Sequence, residues 1–500
     1  MADLENAQDP KVQLETTKTK VDTQELMVTE VIQPSKFRRT IEAFARISGL
    51  ETRGIEPVPI DERLPSTSNN YIQIFLLWLS SSLTGNNILV GLYGPSFYGL
   101  NWTDAAICAV FGVFLGSFAV GYMSTWGPRS GNRTLVMTRY FVGYYLSKVF
   151  CVLNILTMLG YAMVNDILGG QIIFTISNGH TGISAGIIIV AVISWFIATV
   201  GMHIFQLYSR YAWIIQLSVL SVMVGCAGPS FDTSSPVESS PPSASQRLSF
   251  VSLCFASAIT WSPSSADYFV YFPPSTKPWR MFLAASTGMG LAMTLTALLG
   301  IGLATGIPTN PVWSNAADVS QGSLLAVSFA PLHSFGHVCA VMVLLSAVSN
   351  NIPCTYSAGL NLQMMLGRYG PSIPRPVLTT IEVVVHTVCA IVAHRYLREI
   401  IENFLPLMSY WIVIWLAVCM EEVWIFQPRN RDVDWTVWNS PRKLPMGLAA
   451  AASFVFGCLG AVLGMSQSYF TGPIARALSQ PTDLVVVAFG TMATYLRDYP

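Results

Sequence analysis

Beyond about residue 70 the chain is a succession of apolar runs nearly empty of charge. Residues 1–70 hold 21 of the 54 charged side chains, which leaves 33 for the other 430 positions. Soluble domains carry about 25% Asp, Glu, Lys and Arg, and this chain carries 11%. That is too little to coat a water-facing surface, so an ordinary soluble enzyme is excluded. A bilayer core about 30 Å thick takes about 20 apolar residues per helix. Twelve runs meet or approach that length, at roughly 71–94, 104–125, 145–177, 182–200, 211–228, 249–271, 280–306, 335–365, 376–394, 401–427, 446–466 and 483–496. The expected fold is an all-α polytopic membrane protein of twelve transmembrane helices, the last one short. Residues 1–70 read as a cytoplasmic, mostly disordered tail, and 71–500 as the membrane domain. A short amphipathic piece is expected at 37–47, where Phe37, Ile41, Phe44 and Ile47 repeat at helical spacing.

The few charges orient the chain. With the tail inside, the inner loops hold twelve basic residues, among them Arg129, Arg133, Arg139, Lys277, Arg280 and Arg368. The outer loops hold four, Arg247, Arg395, Arg398 and Arg476. That bias places both termini on the cytoplasmic side. Net charge is −3 in the tail and +3 beyond it, with no basic patch to attract nucleic acid. Nine scattered cysteines without CxxC spacing read as small buried hydrophobes rather than as a disulfide or zinc framework. The Ser/Pro-rich stretch 229–247 reads as an outer loop. The semi-apolar GSLLAVSFAPL inside 307–334 is too short to span and reads as an outer cap. The sequon Asn101-Trp102-Thr103 sits too close to the membrane to be used.

Within lipid the informative residues are polar ones and helix breakers. The first span contains Ser80, Ser81, Ser82, Thr84, Gly85, Asn86 and Asn87 in its middle, and the sixth runs Trp261-Ser262-Pro263-Ser264-Ser265 before Asp267. Unwound backbone at membrane depth is tolerated only where it is buried in protein or lines a cavity. Two interrupted spans five apart are the pattern of an inverted five-plus-five repeat around a midplane site. The third span carries Asn165 and Asp166, and the eighth carries Asn350 and Asn351 ahead of Pro353. Buried amides can glue helices together, but two in succession before a proline exceed what gluing requires. A carboxamide pairs with the donor/acceptor edge of a heterocycle, and Trp261 offers a face for stacking. Neutral amides with no basic residue nearby suit an uncharged, flat substrate.

These stretches, in order, make the chain recognisable. RGIEPVPIDER (53–63), GLYGPSFYGL (91–100), STWGPRSGNRTLVMTRYFVGYY (124–145), LNILTMLGYAMVNDILGGQ (153–171), ITWSPSSADYFVYFPPST (259–276) and LSAVSNNIPCTYSAGLNLQ (345–363) together resemble nucleobase–cation symporter family 1, in its fungal purine–cytosine permease branch. The resemblance implies a LeuT-type fold with two extra C-terminal helices. It also implies a substrate pocket among spans 1, 3, 6 and 8. Carried over residue by residue, it places Asn165, Trp261, Asn350 and Asn351 at the site. Pro353 would shape it, and Ser82 or Thr84 would line it. It implies a secondary active transporter at the plasma membrane, importing cytosine and purines such as adenine, guanine and hypoxanthine. Coupling is expected to a proton rather than to sodium, with no cofactor and no metal. The expected partners are a small nucleobase and the lipid bilayer, not nucleic acid, with oligomeric state left open. A permease for another aromatic heterocycle such as pyridoxine, and a diverged non-transporting membrane sensor, are the alternatives. No HExxH, GxSxG or nucleotide-binding glycine loop suggests an enzyme.

A proton needs a titratable group, and the spans offer few. Asp166 reads either as a proton site or as a packing group pointing about 100° away from Asn165. Asp267 reads as a proton site or as an inner gate paired with a loop cation such as Arg133. Glu382 and His386, four apart on the ninth span, read as a structural pair. The chain also departs from the family pattern. Cys354 follows the NNIP run where an amide is common, Thr260 precedes Trp261 where glycine is common, and Ser82 aligns with a common asparagine. In the tenth span the stretch 422–427 lacks the usual His and Arg. Shifted or narrowed specificity is the expected consequence.

Overall fold

The computed structural model describes residues 54–477 apart from positions 66, 68, 201, 234–241, 374, 427–432 and 468. The amphipathic piece at 37–47, the last apolar run and most of the Ser/Pro-rich loop lie outside the described residues. The described residues form helices, with one isolated bridge between Ser466 and Thr471.

In chain order the helices are α1 (Asn69–Ser82), α2 (Gly85–Ser96), α3 (Trp102–Ser124), α4 (Trp126–Ser130), α5 (Thr134–Val142), α6 (Leu146–Ile176), α7 (Ile183–Val200) and α8 (Met202–Ala227). Then come α9 (Ala244–Ile259), α10 (Pro278–Gly306), α11 (Pro311–Val319), α12 (Gln321–Val327), α13 (Ser334–Met365), α14 (Arg375–Ala393), α15 (Leu397–Glu421), α16 (Leu448–Gly464) and α17 (Pro473–Ala477). Among the described residues six helical stretches are long and apolar enough to cross a membrane, or seven if the bent pair α1–α2 counts as one span.

Both expected interruptions are present, and each has a local cause. Between α1 and α2 the path bends by 61°. Serine, threonine and asparagine side chains offer the backbone alternatives to helical bonding. Here Thr84 is extended, and Asn87 Nδ2 takes the freed Ser82 carbonyl at 2.8 Å. In the sixth span α9 stops at Ile259 and the chain tightens into a 3-10 turn over Ser262–Tyr268, with Pro263 at its start. Proline contributes no N–H to a helix and blocks its continuation. In the eighth span Pro353 has no such effect, and α13 runs unbroken through it.

The packing holds these breaks at the centre. α13 lies along α6, α9 packs on α3, and α10 packs on α1, α2 and α3. The α2–α10 crossing is close enough to require glycine on both sides. A Cβ on Gly91 would run into the Ala297 carbonyl, and one on Gly300 into the Ile88 carbonyl. Apolar rows point outward: Ile107, Phe111, Leu115 and Phe118 on α3, and Val384, Val388 and Val392 on α14 are all exposed. Such rows at helical spacing are lipid-facing surface.

One boundary differs from the sequence reading. Residues from 54 to 64, assigned to the tail, pack against the membrane domain. Ile55 and Val58 are buried. Ile55 N donates to Gln363 Oε1 at 3.1 Å, Val58 N to the Gly131 carbonyl at 3.0 Å, and Leu64 N to the Tyr271 carbonyl at 2.7 Å. The apolar pair is what anchors this strap, and its backbone donors are satisfied across α4, α13 and the sixth span. At the opposite end the short helices α11 and α12 form the expected cap. Gly322 N donates to Gln171 Oε1 at 2.9 Å and Gln321 Nε2 to the Tyr93 hydroxyl at 2.7 Å.

Candidate functional site

The site is built where the broken first span meets α6 and α13. Asn350 and Asn351 are consecutive, so they leave α13 about 100° apart, and Asn165 reaches both. Its Nδ2 donates to Asn350 Oδ1 and to Asn351 Oδ1, each at 2.9 Å. Asn350 Nδ2 donates to the Ser81 carbonyl at 2.9 Å, and Asn86 Nδ2 donates to Asn350 Oδ1 at 3.4 Å. All these amides are buried. A buried polar group left unpaired costs about 1–3 kcal/mol, so the network is close to self-satisfying. One atom is left over. Asn165 Oδ1 is buried and accepts no hydrogen bond. An acceptor held in position through its own amide nitrogen is suited to an N–H on the edge of a heterocycle.

An aromatic wall adjoins it. Tyr161 stands one helical turn before Asn165 on the same face of α6. Its ring lies 5.4 Å from that of Trp261, tilted by 47°. Its hydroxyl bonds Thr260 Oγ1 at 2.6 Å and lies 3.0 Å from the Ser257 carbonyl. Trp261 also meets Trp78 edge-on at 6.3 Å, and Trp78 meets Tyr268 edge-on at 5.7 Å. Thr260, expected to crowd the site in place of glycine, is instead the residue that fixes Tyr161. Ser82 and Thr84 lie at the break itself. Ser82 supplies a carbonyl to Asn87, and the Thr84 hydroxyl bonds to Asn86 Oδ1. Pro353 contributes a carbonyl that accepts from the Tyr268 hydroxyl at 3.3 Å.

A cavity lined by Asn86, Asn87, Tyr161, Ser257, Phe404 and their neighbours has a volume of about 10 Å³. That is room for about one water molecule, so a heterocycle enters only if helices part. Phe404 of α15 closes one side, edge-on to Tyr161 at 6.3 Å and seated over Gly160, where no Cβ fits.

The acidic residues refine two expectations. Asp166 does diverge from Asn165 on α6, yet both reach Asn351. Asn351 Nδ2 donates to Asp166 Oδ1 at 2.7 Å and to Ser194 Oγ at 3.3 Å. His386 Nδ1 lies 2.8 Å from Asp166 Oδ2. The pairing expected within α14 is joined by one between helices, because α14 packs against α6, and Glu382 stays within electrostatic reach of His386. The buried Glu382 carboxyl lies beside the Thr355 hydroxyl. Cys354 lies on α13 within electrostatic reach of Glu382 and Asp166.

Asp267 occupies a separate place. Its Oδ1 accepts from Thr134 N at 2.7 Å and Thr134 Oγ1 at 3.0 Å, and its Oδ2 accepts from Ser357 Oγ at 2.9 Å. Arg133, the expected partner, bonds the Asp267 carbonyl oxygen at 2.7 Å and lies within electrostatic reach of the carboxylate. The carboxylate is used to cap α5, where helix N-terminal amides attract negative charge.

Sequence reasoning missed Tyr161, Trp78 and Ser194. Tyr161 was detectable as an aromatic one turn from Asn165. Trp78 and Ser194 carried no such signal.

Comparison with known proteins places this geometry. Residues 57–482 match the family profile of permeases for cytosine/purines, uracil, thiamine and allantoin. The purine-cytosine permease fcyB of Emericella nidulans is 31% identical, over 87% of this chain and 85% of that protein. The vitamin B6 transporter TPN1 of Saccharomyces cerevisiae is 27% identical, over 89% of this chain and 87% of that protein. The fold is shared with Mhp1, a nucleobase-cation-symport-1 family transporter solved in a closed conformation with bromovinylhydantoin bound. The TM-score is 0.69 at 14% identity, covering 89% of this chain and 94% of Mhp1.

Proposed function

The chain belongs to the family of permeases for cytosine/purines, uracil, thiamine and allantoin, and from that premise we propose that it is a secondary active transporter importing nucleobases by proton symport. As a family member it is a multi-pass membrane permease and not an enzyme. The substrates we propose are cytosine and purines such as adenine, guanine and hypoxanthine. The proposed setting is the plasma membrane, with twelve spans and both termini cytoplasmic.

The observation that carries this reading is the convergence of Asn165, Asn350 and Asn351 on one another beside Trp261 and Tyr161. Helices must separate to admit a base. As they do, amide groups now bonded to each other become available to the substrate edge, while Asn165 Oδ1 is available already. Stacking on an indole contributes about 1–3 kcal/mol per base in nucleic-acid proteins. The alternation itself is a rocking of one group of helices against the other around a fixed midplane site. Asp267, bonded to Thr134 and Ser357, has the position of a latch at the end carrying the 54–64 strap. Its role in this reading is gating.

Uptake of radiolabelled cytosine by cells expressing the chain, with adenine and pyridoxine as competitors, tests the proposal. Competition by adenine is expected. Competition by pyridoxine without adenine would replace the substrate by a vitamin B6-type heterocycle, a reading favoured by the similarity to the vitamin B6 transporter. Absence of any uptake from a correctly targeted protein would leave the non-transporting sensor.

A further inference from the structure

We infer that Asp166, His386 and Glu382 form one buried proton-binding centre, linked to the substrate amides through Asn351. The inference deepens the reading of the chain as a proton-driven nucleobase permease and rests on it.

The three side chains come from two helices far apart in sequence, Asp166 from α6 and Glu382 with His386 from α14, and all are buried. Ionisable groups at membrane depth are costly and point to an ion or proton path. A structural role would satisfy them, as Asp267 is satisfied by Thr134 and Ser357. Here His386 Nε2 has no hydrogen-bond partner, and the buried Glu382 carboxyl has only the Thr355 hydroxyl beside it. Glu382 precedes His386 by one turn, on the same face of α14. The centre is thus a chain of groups: Asp166 Oδ2 lies 2.8 Å from His386 Nδ1, and Glu382 is within electrostatic reach of the imidazole.

With the imidazole charged, the two carboxylates and one imidazolium sum to −1, and one more proton makes the centre neutral. The loading step is RCOO⁻ + H₃O⁺ → RCOOH + H₂O, and its reverse on the other side of the membrane unloads it. Other titratable groups around the centre are few. α14 packs against α6, α7 and α13. α6 brings Asp166, α13 brings the Cys354 thiol, and α7 has no ionisable residue, only Ser194. Arg375, at the start of α14, is engaged with the Ala198 carbonyl at 3.0 Å and stacks 4.6 Å from Tyr356. Among the described residues no group of three or more His, Cys, Asp or Glu side chains is arranged to hold a metal ion.

The link to the substrate is the Asn351 carboxamide. Its oxygen accepts from Asn165 and its nitrogen donates to Asp166. A substrate that draws Asn351 Nδ2 away leaves Asp166 with one donor fewer. A carboxylate that loses a donor is less stable as the anion, so substrate and proton favour each other's binding, and by linkage the effect is reciprocal.

The test uses the purified full-length protein and its Asp166→Asn, Glu382→Gln and His386→Gln variants. Infrared titration of the carboxyl C=O band needs no substrate. The wild type should show a buried carboxylic acid band that appears and disappears with pH, and it should be absent from Asp166→Asn or Glu382→Gln. In proteoliposomes with a pH gradient, Glu382→Gln should equilibrate labelled cytosine but accumulate it at least tenfold less than wild type. His386→Gln should shift the pH dependence of uptake. An unchanged carboxyl titration in both acid variants overturns the centre. So does undiminished gradient-driven accumulation in all three. A wild type that shows the titration but neither binds nor moves any nucleobase overturns the substrate reading and leaves the centre standing. Accumulation driven by sodium alone overturns the coupling.

Discussion

The Tyr161 and Thr260 hydroxyls lie 2.6 Å apart, joining α6 to the point where the sixth span stops being α-helical. Thr260 Oγ1 also donates to the Ala256 carbonyl at 2.9 Å, so it is fixed from below. The bond sets the tilt of Tyr161 against Trp261. Thr260→Val keeps the shape and removes the hydroxyl. A net hydrogen bond is worth about 0.5–1.5 kcal/mol, so KM for cytosine should rise roughly two- to tenfold with maximal rate little changed. Uptake kinetics measure both.

The amides make a stronger prediction. Asn350→Ala frees the Ser81 carbonyl, and Asn351→Ala deprives Asp166 of a donor. Unpaired groups in a buried network cost about 1–3 kcal/mol each. Uptake should be lost in either variant while surface targeting stays normal. Retained affinity in both would return these amides to a packing role.

Trp261 separates stacking from mere filling. Trp261→Phe keeps an aromatic face and Trp261→Ala removes it. If stacking contributes about 1–3 kcal/mol, binding should weaken much more in the alanine variant. Equal losses would mean that the indole is structural. Equilibrium binding of labelled substrate resolves the two.

Asp267→Asn retains size and removes charge. Hydrogen bonds to charged groups contribute about 1.5–3 kcal/mol, and this carboxylate accepts three. The variant should melt at lower temperature in detergent and transport more slowly. An unchanged melting temperature and rate would exclude a latch.

The close crossing of α2 and α10 gives a prediction about folding. Gly91→Val and Gly300→Val drive branched side chains into facing carbonyls. Overpacking costs about 1–3 kcal/mol, occasionally more. Less monodisperse protein should be recovered for each, as size-exclusion chromatography would show.

Much of this architecture was legible beforehand because it is written locally. Serines and asparagines at 80–87 and Pro263 announce broken helices from their own chemistry, whatever surrounds them. Asn165, Asn350 and Asn351 stood out as polar residues where lipid would reject them. Relations between helices were not legible. The rotation of α14 decides that His386 meets Asp166 across helices as well as standing a turn from Glu382, and no spacing in either helix encodes that rotation. Arg133 is within electrostatic reach of the Asp267 carboxylate as expected, and the chain adds a bond to the backbone carbonyl that no spacing announces. The strap at 54–64 was missed for another reason. Two buried apolar residues, Ile55 and Val58, are too few to register as a hydrophobic run, yet they suffice when Gln363, Gly131 and Tyr271 bind the backbone around them.

The interlocked glycines of α2 and α10 carry a mechanical consequence. Backbones in such close contact cannot slide or rotate against each other without collision, so α2 and α10 resist relative motion, and α10 approaches α1 as closely at Gly288, where a Cβ would meet the Phe75 carbonyl. Spectroscopic labels placed one on each of α2 and α10 should keep a constant separation through the whole cycle, and a label pair spanning α2 and α6 should not.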